Sequence, residues 1–188
     1  MMNSLSEFQL EAGRSIIRSY ETEDKPWHLL FAQPQSGKTD TFYFVAAEML
    51  RMKKVKRVVI LSGISDIHLK HQCMQSLCNS TGGMDFCEKY DTYLETELGL
   101  NREERFKVKS KLKMNMDYIW GHNLVNEYPY KDHILFIWDE SHFAQTIDMR
   151  PFKFFEKFGI SCDGEKESLK RCNNYVLSVS ATPFTEMS

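Results

Sequence analysis

A short apolar run followed by a Gly-Lys-Thr turn constrains this chain more than any other feature. Residues 27–32 are almost wholly apolar, and Gly37, Lys38 and Thr39 follow a few positions later. An apolar run of this length predicts a buried strand, and the spacing after Thr39 predicts a helix to about Lys53. A glycine turn between a strand and a helix gathers backbone N–H groups at the positive end of the helix, so we expect an anion to bind there.

The turn also matches a phosphate-binding pattern. Residues 32–39, which we call the phosphate loop, fit GxxxxGK[ST] except that Ala32 occupies the position of the first glycine. In this pattern the lysine reaches the β- and γ-phosphates, and the hydroxyl that follows it ligates Mg²⁺. A bare Gly-Lys-[Ser/Thr] triplet arises readily by chance, but this one stands between a strand and a helix, as the chemistry requires. The predicted phosphate-binding residues are Gln35, Ser36, Gly37, Lys38 and Thr39, with Thr39 also on the metal.

A second apolar run ends in two carboxylates. Residues 133–138 predict a buried strand, and Asp139 and Glu140 follow it directly. A carboxylate at such a strand end would hold Mg²⁺ through its water shell, and its neighbour could position an attacking water. Acidic residues at a strand end are often only solvated loop residues. The upstream phosphate loop makes the metal-holding interpretation the stronger one.

The remaining elements predict an α/β fold. Residues 57–61, 117–120 and 175–179 are further strand candidates, and helical patterns lie between them. Strands that are apolar on both faces and alternate with helices predict a mostly parallel sheet covered by helices on both sides. We expect one α/β domain over residues 1–188, with a charged helical insertion at about 84–116.

Two capping boxes and two ambiguous helices complete the prediction of local structure. Ser-x-x-Glu and Asn-x-x-Glu patterns predict helix starts after Ser4 and Asn101. The basic helix over residues 102–113 could track phosphates or present a solvated face, and the solvated face is the commoner case. The helical spacing of Phe154, Phe155 and Phe158 favours a core stripe over a surface that stacks on bases.

Composition limits the classes of partner. The formal net charge is -2, so nucleic acid would have to bind through local sites rather than through an overall positive charge. The chain lacks both an apolar run long enough to cross a bilayer and a secretory signal, and we predict an intracellular soluble protein of cytoplasm or nucleus, or a viral or phage protein acting there, without a membrane partner.

The five cysteines are an odd number at irregular spacing, which predicts reduced thiols. The alternative is a metal cluster formed by His71, Cys73, Cys78 and Cys87, although no CxxC pair supports it.

The order of the motifs resembles a known family. Asp139-Glu140-x-His142, preceded by the phosphate loop and followed by Ser180-Ala181-Thr182, resembles motifs I, II and III of the DExH-type superfamily 2 helicases and translocases. Upstream, Phe8-Gln9 resembles the element with which many members read adenine. Residues 35–39 and 61–63 also resemble the Z1-type and restriction-associated ATPase branches.

The resemblance implies the first RecA-like lobe of a nucleic-acid-dependent ATPase, with ATP and Mg²⁺ as cofactors. It places Gln9 on the base, Asp139 on the metal and Glu140 as catalytic base. It also implies that coupling of hydrolysis to movement rests on His142, Ser180 and Thr182. The loop after the second strand departs from the usual Pro-Thr motif of the family, and its candidate nucleic-acid contacts are Ser62, Gly63 and Ser65.

The resemblance also implies partners. We expect nucleic acid, DNA rather than RNA, and a second RecA-like lobe in cis or in trans. The motifs of that second lobe do not occur through residue 188, so we expect this lobe alone to hydrolyse ATP weakly or not at all. Two other functions stay open: a phosphate-loop ATPase that acts on another kind of substrate, and a non-catalytic interaction module that retains the fold.

Overall fold

The computed structural model describes residues 4–23, 26–31, 37–62, 86–120, 128–139, 154–158, 169–170 and 172–180. Five strands form one sheet: β1 (Trp27–Phe31), β2 (Arg57–Ser62), β3 (Met116–Trp120), β4 (Ile134–Asp139) and β5 (Tyr175–Ser180). Their order is β1-β5-β4-β2-β3, and every pair of neighbours is parallel. Four helices are α1 (Glu7–Thr22), α2 (Lys38–Arg51), α3 (Phe86–Thr96) and α4 (Arg102–Met114).

The sheet is buried on both faces because its apolar strands alternate between two cores. One face carries Val58, Ile60, Leu135 and Ile137, which pack against α1, α2, α3 and α4. The opposite face carries an aromatic core built around Phe136. This arrangement confirms the predicted α/β class, since parallel strands need cover on both sides.

The aromatic segment of residues 154–158 belongs to the second core. Phe154 and Phe155 are fully buried, and the Phe158 ring lies 5.0 Å from the Phe136 ring. These contacts agree with the predicted core stripe.

A buried carboxylate fastens α3 to α2. Glu48 of α2 accepts two hydrogen bonds from Arg51, at 2.7 and 2.8 Å, and one from the hydroxyl of Tyr90 at 2.6 Å. Burial, followed by the charge of Glu48, raises the pKa of Tyr90, so the phenol stays protonated as the donor. Because a buried charge needs such partners, this network ties the position of α3 to that of α2.

Three of the six basic side chains of α4 are engaged in ion pairs. Lys107 pairs with Glu103 along the helix, while Arg105 and Lys109 both contact Asp91 of α3. These pairs favour the solvated and structural interpretation of the basic helix over the phosphate-tracking one.

One helix start and one cysteine differ from the predictions. The N-cap of α1 is Ser6, paired in a capping box with Gln9, and not Ser4 with Glu7. The predicted box of Asn101 and Glu104 is present. Cys87 is disulfide-bonded and Cys172 is a free thiol, which corrects the prediction of reduced thiols throughout. A disulfide needs two Cα atoms about 4.4–6.8 Å apart, a proximity that spacing along the chain does not reveal.

Two absences apply to the described part of the chain. Within it, no group of three or more histidine, cysteine or acidic residues is placed to hold a metal, and three members of the candidate cluster (His71, Cys73 and Cys78) lie outside it. Among the same residues, no helix has the length and apolar character needed to cross a membrane.

The edge strand β1 is the least buried of the apolar strands. Among the described residues it pairs only with β5, and each of its five residues keeps some exposure to solvent. Leu29 is 46% exposed and Phe31 is 45% exposed. Tyr20 of α1 contacts β5, the strand next to β1: its hydroxyl donates a hydrogen bond to the Val176 carbonyl at 2.8 Å.

The packing of α1 on α2 allows a test of the fold. A Cβ at Gly13 would lie 2.4 Å from Cδ1 of Phe44, a ring that is fully buried in the core. Alanine normally stabilises a helix over glycine by about 1 kcal/mol, but overpacking costs about 1–3 kcal/mol. We expect Gly13→Ala to lower the free energy of unfolding, measured in urea. Ser15→Ala, on the exposed side of the same helix, should leave it nearly unchanged; a more stable Gly13→Ala variant would contradict this packing.

Candidate functional site

All five parallel strands end at one edge of the sheet, and three of the predicted site residues, Ser62, Asp139 and Ser180, are the last residues of β2, β4 and β5. In the register, Phe31 at the end of β1 lies opposite Ser180 of β5, and Asp139 of β4 lies opposite Val179. β5 therefore separates the strand that leads to the phosphate loop from the strand that carries Asp139. In open α/β sheets, ligands bind outside the carboxyl ends of the strands.

The start of α2 suits an anion. Gly37 is its N-cap, with a φ of 80° that glycine adopts without strain, and α2 begins at Lys38. Gly37 has no side chain, and no side chain caps this helix start. Lys38 and Thr39 occupy the first two helical positions and are both half-buried. The start of α2 at Lys38 agrees with the helix predicted after the turn.

Gln9 reaches this helix start from α1. Its Nε2 lies 3.3 Å from the Gly37 carbonyl oxygen and 3.3 Å from Oδ2 of Asp40. Its Oε1 accepts a hydrogen bond from the backbone N–H of Ser6 at 2.8 Å. A Cβ on Gly37 would come within 2.2 Å of Nε2. Gln9 thus lies beside Gly37 of the phosphate loop, and both Oε1 and Nε2 of its amide are bonded to protein groups.

Asp40 receives a cation from α3. Nζ of Lys89 lies 2.6 Å from Oδ2 of Asp40, and the two side chains are 24% and 16% exposed. The predictions omitted both residues. Asp40 directly follows Thr39 and could have been noticed, but no local pattern links it to a lysine 49 positions away.

Asp139 and Ser180 sit at neighbouring strand ends. Asp139 is half-buried, and Ser180 is fully buried. Ser62, the last residue of β2, is opposite Asp139 in the register. The fold therefore brings together Asp139, Ser180 and Ser62, the strand-end members of the predicted metal, coupling and nucleic-acid residues.

The other predicted site residues lie outside the described part of the chain. They are Gln35 and Ser36 of the phosphate loop, Gly63 and Ser65 after β2, Glu140 and His142 after β4, and Thr182 after β5. Of Ser62, only the backbone is described.

The comparisons with known proteins agree with this geometry. The family model described as the res subunit of type III restriction enzymes matches residues 3–185. The chain belongs to this family. It is the first, RecA-like ATPase lobe of a superfamily 2 protein, which confirms the predicted resemblance to that superfamily. A search of curated proteins finds no match.

Solved structures share the fold at low sequence identity. The Sulfolobus solfataricus SWI2/SNF2 ATPase core, solved in complex with dsDNA, superposes with a TM-score of 0.54 at 12% identity, over 96% of this chain and 32% of that one. This chain therefore spans about a third of that relative. The ATPase domain of a second protein of known structure is 14% identical with a TM-score of 0.41, over 90% of this chain and 69% of that one. The first likeness confirms the RecA-like fold.

The position of Gln9 leads to a stability prediction. Gln9→Met removes the capping-box bond and also the link from α1 to Gly37 and Asp40. We expect a loss of about 1–3 kcal/mol in the free energy of unfolding, measured in urea. Glu104→Met removes the equivalent capping-box bond of α4, at 2.8 Å on an exposed surface, and should cost less. Equal losses would show that the link between α1 and α2 contributes nothing.

Proposed function

We propose that this chain binds Mg-ATP and acts as the first motor lobe of a nucleic-acid-dependent ATPase, a helicase or translocase that prefers DNA to RNA. The observation that carries the proposal is the common edge of the sheet, where β1, the strand before α2, ends opposite Ser180 of β5, and β4 ends at Asp139 opposite Val179. Membership of the restriction-enzyme family supports the ATPase class of this activity.

The nucleotide would bind at the start of α2. Lys38 would contact the β- and γ-phosphates, and backbone N–H groups of Gln35, Ser36 and Gly37 would surround them. Gln9 would read the adenine base, which requires at least one of its present bonds to open. The positive helix end adds to the attraction for phosphate.

The donor set at this edge fits Mg²⁺. The hydroxyl of Thr39 and the carboxylate of Asp139 supply hard oxygen ligands, and Mg²⁺ keeps several waters that a half-buried carboxylate can hold. When bound, Mg²⁺ neutralises charge on the β- and γ-phosphate oxygens. Glu140 would accept a proton from the attacking water. That water bonds to the γ-phosphorus of ATP as the bond from this phosphorus to the oxygen of the departing ADP breaks.

Coupling to movement would depend on β5. Ser180 ends the strand that borders both β1 and β4, so it adjoins both halves of the nucleotide site. We assign coupling to Ser180 together with His142 and Thr182. A second RecA-like lobe, in cis or in trans, would close on the nucleotide and supply the arginine that stabilises transferred phosphate, an effect of about 10³–10⁵ in rate.

The DNA preference has two supports. The Sulfolobus relative was solved with dsDNA, and Ser62, at the end of β2, lies opposite Asp139 of β4 in the register, with Gly63 and Ser65 following it in the sequence. Because the net charge is -2, such contacts would be local.

ATP binding can be tested at Lys38. Lys38→Ala removes the cation that would contact the phosphates, and a charge-assisted hydrogen bond is worth about 1.5–3 kcal/mol. We expect at least a tenfold weaker affinity for a fluorescent ATP analogue with Mg²⁺, at an unchanged circular dichroism spectrum. Lys107→Ala, on the exposed side of α4, should bind as the wild type does. Unchanged binding by Lys38→Ala would reject the nucleotide site.

Catalysis and substrate class can be tested at Glu140 in a protein that holds both lobes. Glu140→Gln should retain ATP binding and lose about 10²–10⁴ in turnover, the range for removal of a general base. Turnover of the wild type should rise with duplex DNA and less with RNA. A turnover that responds to neither would redirect the proposal to another class of substrate.

A further inference from the structure

The ion pair of Asp40 and Lys89 joins the first turn of α2 to α3. Asp40 is the third residue of α2, directly after the two residues assigned to phosphate and metal. Its Oδ2 is 2.6 Å from Nζ of Lys89, and both side chains are mostly buried. Lys89 thus comes from the charged helical region, which carries none of the nucleotide-site residues assigned above.

The position of Asp40 creates an electrostatic problem for a nucleotide. Successive helical residues rise by about 1.5 Å, so Asp40 lies only about 3 Å along the axis from Lys38. A carboxylate this near a polyphosphate is well within the Debye length of about 10 Å, and it repels the phosphates. It also competes with them for the positive end of α2. The Lys89 ammonium cancels this charge at contact distance.

The same pair also restrains the orientation of the Asp40 side chain. Oδ2 of Asp40 receives Lys89 and also lies 3.3 Å from Nε2 of Gln9. Gln9 in turn lies 3.3 Å from the Gly37 carbonyl oxygen. These two contacts hold the Asp40 carboxylate toward Gln9 and Lys89. Lys89 therefore acts on the nucleotide site through Asp40, without contact with the phosphates.

We propose that Lys89 is a positioning residue of the nucleotide site, which neutralises and orients Asp40 so that the first turn of α2 accepts a polyphosphate. On this proposal α3 is part of the nucleotide-binding apparatus. The inference rests on the proposed function, because it presupposes that ATP binds at the start of α2.

The test compares four variants of the chain: Lys89→Met, Lys89→Arg, Asp40→Asn and the Lys89→Met/Asp40→Asn double variant. Binding of a fluorescent ATP analogue with Mg²⁺ is titrated at low and at high salt, and ADP and AMP are measured by competition. Lys89→Met should weaken ATP binding about three- to tenfold, more at low salt. The loss of affinity in Lys89→Met should be largest for ATP, smaller for ADP and smallest for AMP. Lys89→Arg should restore affinity.

Asp40→Asn decides between an electrostatic and a merely structural pair. With the carboxylate removed, Lys89 has no charge to cancel, so Asp40→Asn and the double variant should bind ATP at least as tightly as the wild type. Thermal unfolding is followed for each variant. A structural pair would instead make Asp40→Asn lose as much affinity as Lys89→Met, with equal losses for ATP and AMP, and that result would overturn the proposal.

A matched control is available at an ion pair that joins α4 to α3. Nζ of Lys109 lies 2.6 Å from Oδ1 of Asp91, with side chains 29% and 28% exposed, so this pair has similar length and burial but does not involve α2. Lys109→Met should bind ATP as the wild type does. An equal loss in both variants would show a general effect of α3 and overturn the proposal.

The outcomes separate the two proposals. If the wild type binds no Mg-ATP, or if Lys38→Ala binds it equally well, the proposed function fails and this inference fails with it. If the wild type binds, Lys38→Ala does not, and Lys89→Met matches the wild type, then only the role of Lys89 is rejected.

Discussion

Parallel pairing in the order β1-β5-β4-β2-β3 is the constraint from which the site follows. Hydrogen bonding in this register brings the carboxyl ends of all the strands to one edge. β5 lies between β1, which leads to the phosphate loop, and β4, which ends at Asp139. Ser180 is the last residue of β5. The apolar residues that allow this pairing form the two cores on either face of the sheet. The burial of the strands and the geometry of the site therefore have a common cause.

The sequence predicts the elements better than their partners. The strands of residues 57–61 and 133–138 are observed within a residue or two, because fully apolar runs leave little choice of structure. The order of strands in the sheet could not be predicted, since every strand is apolar on both faces and local patterns do not distinguish its neighbours. The family resemblance came from short motifs in sequence order and is confirmed by the family match.

Tertiary contacts explain the mistaken helix start. Ser4-x-x-Glu7 and Ser6-x-x-Gln9 are overlapping patterns of the same kind, and the second is used because Gln9 also bonds to Gly37 and Asp40. The pairing of Asp40 with Lys89 was missed for a similar reason, since the two residues meet only when α3 packs on α2. Residues 32–36 and 140–142 of the candidate site lie outside the described residues, and the roles assigned to all the candidate site residues stay predictions.

Among the described residues, β1 has one neighbouring strand and β4 has two, so the strand ends at Phe31 and Asp139 are held unequally in the sheet. Asp139 ends a central strand with neighbours on both sides, and separating it would break two ladders of hydrogen bonds. Phe31 ends a strand that, among the described residues, pairs on one side only and leaves Leu29 partly in solvent. Local displacement costs least free energy where buried contacts are fewest. The half that we propose to hold the metal thus ends the better-supported strand, and the half that we propose to hold the phosphates follows the more compliant one.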